Sequence, residues 1–230
     1  MNDLLSIIYR PRFELKATKD NQVNYVIVLL ILVLLTIIQG FIALPIQAQI
    51  MAHNDVFANM TPEQAERARS IGEKMRYIGL FIAGIIYIVK ILIQALLVWG
   101  GMSIFNGKIN FKQSVILVSL VSFVTIIGDY ANIGIIFLTG VEKITSMSEL
   151  AKTGLNLFFT TEDVGLAMYT FFSYINPFQI WSIILLIIGM KVIGELQYST
   201  AAILSLILWL IWVSFPVLSV VVSGLARSGA

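Results

Sequence analysis

Four stretches of the chain are apolar for long enough to cross a bilayer: Val23–Leu44, Tyr77–Trp99, Val115–Leu138 and Ala201–Gly224. A crossing helix needs about 20 apolar residues. A fifth apolar stretch, Val164 to Met190, is too long for one span and is interrupted at Asn176-Pro177. Asparagine is a good helix N-cap, proline suits the first helical turn, and Gln179 falls at the third position of a capping box. A new helix is therefore expected to start at Asn176, with Trp181 near the membrane interface. Split there, Glu162–Ile175 is too short to cross, whereas Pro177–Lys191 just suffices. The helix before the break has Thr161 as its expected cap, with Glu162 and Asp163 in its first turn, where acidic groups favour the dipole. It is expected to lie in, or dip from, one interface. Interrupted backbone at membrane depth needs protein or a wet cavity around it. The break therefore reads as a simple bend or as the lining of a ligand site.

The predicted fold is all-α, a polytopic transmembrane helical bundle of five spans with an interrupted helix before the fourth. Spans are expected at about 23–44, 77–99, 115–138, 177–191 and 201–224. Residues 1–22 form a cytoplasmic amino-terminal segment with an interfacial helix, 23–224 the membrane domain and 225–230 a short tail. Within the first segment, Leu4, Leu5, Ile7, Ile8 and Phe13 stand beside Arg10 and Arg12, a pattern for lying on a leaflet. "TPEQAERARS" (Thr61 to Ser70) reads as a capped helix continuous with the second span, with Glu63 and Arg67 at i,i+4 spacing.

Orientation follows from the cations that flank the spans. Arg10, Arg12, Lys16 and Lys19 precede the first span, and Lys108, Lys112 and Lys191 fall in connections on the same side. The amino terminus is expected in the cytoplasm and, after five crossings, the carboxyl terminus outside. Arg67, Arg69, Lys74 and Arg76 lie on the outer side, interleaved with Glu63, Glu66 and Glu73.

Composition agrees with the pattern: 58% of the 230 residues are hydrophobic and 12% charged, with a mean hydropathy of +0.91. Soluble domains carry about 25% charged residues. A net charge of +2 is too weak for a nucleic-acid footprint. The absence of cysteine excludes disulfides, thiolate metal sites and cysteine nucleophiles. Val23–Leu44 exceeds the core of a cleavable signal peptide, so it is read as a retained anchor despite a faint Ile46-Gln47-Ala48 cleavage pattern.

Catalytic constellations are missing from this pattern. The single histidine, His53, is expected in the outer loop with no second ligand, so neither a metal nor a cofactor is expected. A serine nucleophile would lack a histidine base. "GGMSIFNGKI" (Gly100 to Ile109) departs from phosphate-loop spacing, and Ile109 stands where Ser or Thr is required. It reads as a tight turn at Asn106-Gly107. "IIGDYAN" (Ile126 to Asn132) brings one intramembrane carboxylate, but proteolysis would need two sharing a proton. Two charges remain at depth, Lys90 and Asp129, about six residues or ~9 Å apart along the helix axes. Such groups pair, mark a pathway or snorkel separately. Trp209 and Trp212, three apart in the last span, are expected to pack against protein, with Leu206 and Val213 on other faces.

Three segments carry a family likeness: "IIYRPRFEL" (Ile7 to Leu15), "FNGKINFKQSVILVSL" (Phe105 to Leu120) and "NPFQIWSIILLIIGMKVI" (Asn176 to Ile193). With the five-span layout, they resemble the Yip family, the Ypt/Rab-interacting membrane proteins and their prokaryotic relatives. The resemblance implies no catalytic residue. In eukaryotic members it implies vesicle traffic through partners bound to a long cytoplasmic amino-terminal region. Only about 22 residues precede the first span here, so binding of a Rab-type GTPase is not expected. The chain is similar to prokaryotic members, which implies a bacterial inner-membrane protein that accompanies other membrane proteins, such as components of ABC-type exporters. The expected function is that of a non-enzymatic accessory or scaffold subunit. The alternative is a small oligomeric transporter or channel using Lys90, Asp129 and the break at Asn176-Pro177.

Overall fold

In the computed structural model, residues 6–20, 23–53, 61–144 and 146–228 are described. Among them the regular elements are helical. Short helices α1 (Ser6–Tyr9) and α2 (Pro11–Lys19) precede α3 (Tyr25–Ile42), α4 (Leu44–His53), α5 (Pro62–Ile104) and α6 (Phe111–Thr139). Three 3₁₀ turns between 141 and 158 lead to α7 (Thr161–Ser173), α8 (Pro177–Val192) and α9 (Tyr198–Ser228), with Pro216 inside α9. The fold is an all-α polytopic bundle. Four helices are long and apolar enough to cross a membrane by themselves, and α7 with α8, bent by 43° at their break, makes a fifth if the two count as one span.

The centre of the bundle is α6, packed against α3, α5 and α8. It starts at Asn110, whose side chain accepts from Gln113 N while Gln113 returns the bond. From Gln113 to Leu120 every residue is buried. The α6–α8 crossing is close because of two glycines: a Cβ on Gly128 would stand 2.8 Å from Phe178, and one on Gly189 would overlap Leu117. Small residues let membrane helices approach where lipid and protein side chains are equally apolar.

The α5 helix is a single run of 43 residues. Thr61 caps it in a reciprocal box with Gln64, and Glu63 meets Arg67 at 3.2 Å, both as the spacing predicts. At about 1.5 Å per residue such a rod outreaches a hydrocarbon core of about 30 Å, so its amino-terminal turns stand clear of lipid.

Three features differ from the sequence reading. His53 closes α4, whose Ile46 and Ile50 are buried against Ile133, Ile136 and Ile144; the connection after α3, expected as an outer loop, is thus partly helical. The amino-terminal segment does more than lie on a leaflet. Ile7 and Leu15 are fully buried in the main core, and α2 packs on α8 and α6. An amphipathic pattern serves lipid and protein alike, and here protein covers the apolar face; Phe13 still points away, 60% exposed. The cap of α7 is Thr160 rather than Thr161: its hydroxyl accepts from Asp163 N, and the Asp163 carboxylate accepts from Thr160 N. Gly165, at φ 76°, interrupts α7 in a conformation that favours glycine.

One end of the bundle is tied by charge. Glu195, in the α8–α9 turn, accepts from Lys19 at 2.8 Å and from Lys108 at 2.9 Å. Arg12 donates to Tyr198, and Lys108 N donates to Gly194 O. The two lysines hold the Glu195 carboxyl down at about 2. A carboxylate with a depressed pKa contributes stability above its unfolded value, and that contribution is lost as pH falls toward the folded one. Docking of α2 is therefore expected to loosen between pH 4.5 and about 2, and in high salt. Glu195 also has φ 59°. Glu195→Gln should make tryptic cleavage near Lys19 faster and remove its salt dependence. Glu195→Gly relieves the backbone but still loses both ion pairs, so cleavage as slow as in the unaltered chain would refute the tie.

Candidate functional site

Bond accounting explains the break at Asn176-Pro177. Asn176 caps α8, its Oδ1 accepting from Gln179 N at 2.9 Å, with Pro177 at the first helical position. The reciprocal half of the expected capping box, from Asn176 N to the Gln179 side chain, is not made, and Asn176 Nδ2 donates to Ser173 O. The freed carbonyl of Ile175 accepts from Leu155 N at 3.0 Å. Gly154 is buried, and a Cβ there would stand 2.7 Å from Ser173 O, so the 151–159 segment lies directly on the break. Protein covers this interrupted backbone, as the membrane interior requires. Trp181, expected at an interface, packs on the main core, with its indole N–H buried and unpartnered.

Freed by the cap, the Gln179 side chain lines a half-open cavity of about 330 Å³ between α5, α6, α8 and α9. Lys90 and Asp129 line it too. The cavity thus collects three of the polar residues singled out from sequence, while Asn176 and Pro177 do not line it.

Among the described residues no ion pair joins Lys90 to Asp129, so direct pairing is not what holds them. Lys90 Nζ stands 5.3 Å from the centre of the Tyr87 ring and 5.4 Å from that of Trp212. Both distances are within the ~6 Å of a cation–π contact. Asp129 sits one residue beyond the tight Gly128–Phe178 contact, with the Gln39 side chain of α3 facing it. It is exposed toward the cavity. Depth along the helix was legible in sequence, but the direction of each side chain around its axis was not, and that direction decides pairing.

The walls add polar groups that sequence reasoning missed: Gln94, Ser122, Thr125, Tyr174 and Ser182. Ser182 falls three residues after Gln179, and Ser122, Thr125 and Asp129 recur at helical spacing on α6. That stripe was the available signal. No group of three or more His, Asp or Glu side chains is placed to hold a metal ion among the described residues.

Trp209 and Trp212 both line the cavity, and Trp209 packs on Phe171 with ring centres 6.1 Å apart. Leu206 is exposed, as expected, but Val213 is 2% exposed. It follows Trp209 by one turn and shares its inward face. Trp209→Ala and Val213→Ala should each lower stability in detergent by on the order of 2 kcal/mol or more, and Leu206→Ala by less than about 0.5. Equal melting temperatures for all three variants would contradict this burial.

Bundle and cavity together define a polytopic α-helical membrane protein with a polar chamber between its helices. The chain belongs to the Yip1 family: a family model described as the Yip1 domain matches residues 5–220. No curated protein matches the chain, and no solved structure does.

Proposed function

We propose that this is a non-enzymatic membrane protein that binds a small polar ligand in the chamber between α5, α6, α8 and α9, as a transporter would. The observation that carries the reading is that Lys90 and Asp129 open onto one cavity without pairing. Charges at membrane depth are costly and mark ligand or ion pathways. The test is a thermal-shift screen of small polar solutes and lipid headgroups against the purified protein and against Gln94→Leu. Ligands that stabilise the unaltered chain and lose their effect in the variant support the reading; a full screen without stabilisation would sink it.

A second reading, the accessory or scaffold subunit, is favoured by the amino-terminal turns of α5. There Ile71 and Met75 are exposed one turn apart on a charged rod. Such an arm suits a partner among other membrane proteins, an ABC-type exporter in a bacterial inner membrane included. Recovery of the same subunits after mild solubilisation, lost in Ile71→Glu, would support it; recovery unchanged in that variant would argue against the arm.

The topology proposed with both has the amino terminus in the cytoplasm. It is supported by Lys19 and Lys108 meeting at one end of the bundle. With α7 and α8 as one span, the carboxyl terminus is outside. A carboxyl-terminal alkaline phosphatase fusion should then be active, and an inactive one would mean an even number of crossings.

A further inference from the structure

We propose that the chamber takes a zwitterion, a molecule carrying a primary ammonium and an anionic group on one short frame, with the ammonium at Asp129 and the anion at Lys90. This rests on the reading of the chamber as a ligand site and names the class of ligand.

The chamber is chemically two-sided. On α5 the cavity presents donors, the Lys90 ammonium and the Gln94 amide. The wall from α6 and α8 presents acceptors around Asp129, beside the Gln179 amide, which can donate as well as accept. Asp129 is a carboxylate. The hydroxyls of Thr125 and Ser182 each donate at 2.8 Å to a carbonyl of their own helix, Ser122 O and Phe178 O, which leaves only oxygen lone pairs for a ligand. An ammonium has three donors and no acceptor, so it matches the second wall; a phosphate or carboxylate matches the first.

Charge accounting excludes the simpler ligands. A lone anion at Lys90 would leave Asp129 without a counter-charge and add net negative charge at membrane depth. A lone cation at Asp129 would do the reverse to Lys90. A neutral apolar molecule would desolvate both. A zwitterion answers both charges and adds none, which neither a lone ion nor an apolar molecule does.

Lys90 is held for this role. It is flanked by the Tyr87 and Trp212 rings at 5.3 and 5.4 Å, and makes no ion pair with Asp129. Those aromatic faces are occupied by the lysine, so they do not form a cage for a ligand ammonium. Ligand pockets begin at about 300 Å³, and a cavity of about 330 Å³ suits a headgroup or a small amino acid rather than a whole lipid. The shared chemistry has two sources, the phosphoethanolamine headgroup of a lipid and a soluble amino acid.

The test titrates the intact protein, in a detergent free of charged groups, with four probes. These are short-chain phosphatidylethanolamine, short-chain phosphatidylglycerol, glycine and ethanolamine. Binding is read from tryptophan fluorescence, with Trp99→Phe and Trp181→Phe leaving the signal of Trp209 and Trp212, and from the melting temperature. The zwitterionic lipid or glycine should saturate at a concentration at least about ten-fold lower than phosphatidylglycerol or ethanolamine, each of which has one charge of the two. Saturation by the lipid alone assigns the headgroup, and by glycine alone the solute; both outcomes support the zwitterion. Lys90→Met and Asp129→Asn should each weaken binding by about ten-fold or more. The four-probe comparison on the unaltered protein decides the matter even if these variants fold poorly. Phosphatidylglycerol saturating as well as the zwitterions, or ethanolamine doing so, would overturn the proposal while leaving a ligand site in the chamber. Saturation by none of the four would overturn it too, and the solute screen above then decides separately whether the chamber binds anything.

Discussion

Replacing Gly189 with leucine is expected to cost the bundle about 3 kcal/mol or more, at the upper end of what overpacking a core does. The reason is local. Even a single Cβ at this position overlaps Leu117, which is fully buried on α6 and has no open space to move into. The same two helices meet again at Gly128 and Phe178, so the clash cannot be relieved by sliding one along the other. Gly134→Ala is the control, because nothing lies within 4 Å of where its Cβ would be. There the helix propensity of alanine should raise stability by up to about 1 kcal/mol. Melting in detergent of both variants, with Leu117→Ala added to Gly189→Ala as a rescue, checks the argument. A Gly189→Leu protein as stable as its parent would show that α6 and α8 do not cross here.

Leu15→Ala should also be costly, by about 2–5 kcal/mol, the range found for leucine truncation in packed cores. Phe13→Ala, although it removes a larger side chain, should cost less than about 0.5 kcal/mol. The order inverts what size alone would give, because Leu15 is fully buried between α2, α6 and α8 while Phe13 is 60% exposed. If α2 merely rested on a leaflet, both substitutions would leave the melting temperature of the detergent-solubilised protein unchanged. Melting temperatures for the two variants therefore separate a docked helix from a floating one.

These two cases also mark what the sequence could and could not convey. Long apolar runs, the Thr61 cap, the Glu63–Arg67 pair and the restart at Asn176 were legible because each depends on neighbours along the chain. The docking of α2 was not. In a membrane protein an apolar face satisfies lipid and protein equally, so hydropathy does not say which covers it. The second turn of helix beyond the first span, α4, was lost for a related reason: Pro45, Gln47 and Gln49 dilute its apolar residues, and only the inward pair Ile46 and Ile50 betrays it. Of the site, the two charges were visible as oddities in apolar surroundings, and Gln179 only as part of the cap at Asn176. Their convergence on one cavity depends on how α5, α6 and α8 are rotated about their axes. The glycines that set those rotations, Gly128 and Gly189, differ from any other helix glycine only in what they touch.

Pro216 weakens the wall of the chamber at one turn. A proline has no amide hydrogen, so within α9 the carbonyl four residues earlier, that of Trp212, receives no helical bond from it. Trp212 is the residue whose ring stands over Lys90. Nearer its amino-terminal end, α9 packs tightly on α5, where Leu204 fills the space above Gly101. The wall of the chamber formed by α9 thus lacks one backbone hydrogen bond at the level of the lysine. In admitting a ligand, that turn has one bond fewer to break than its neighbours.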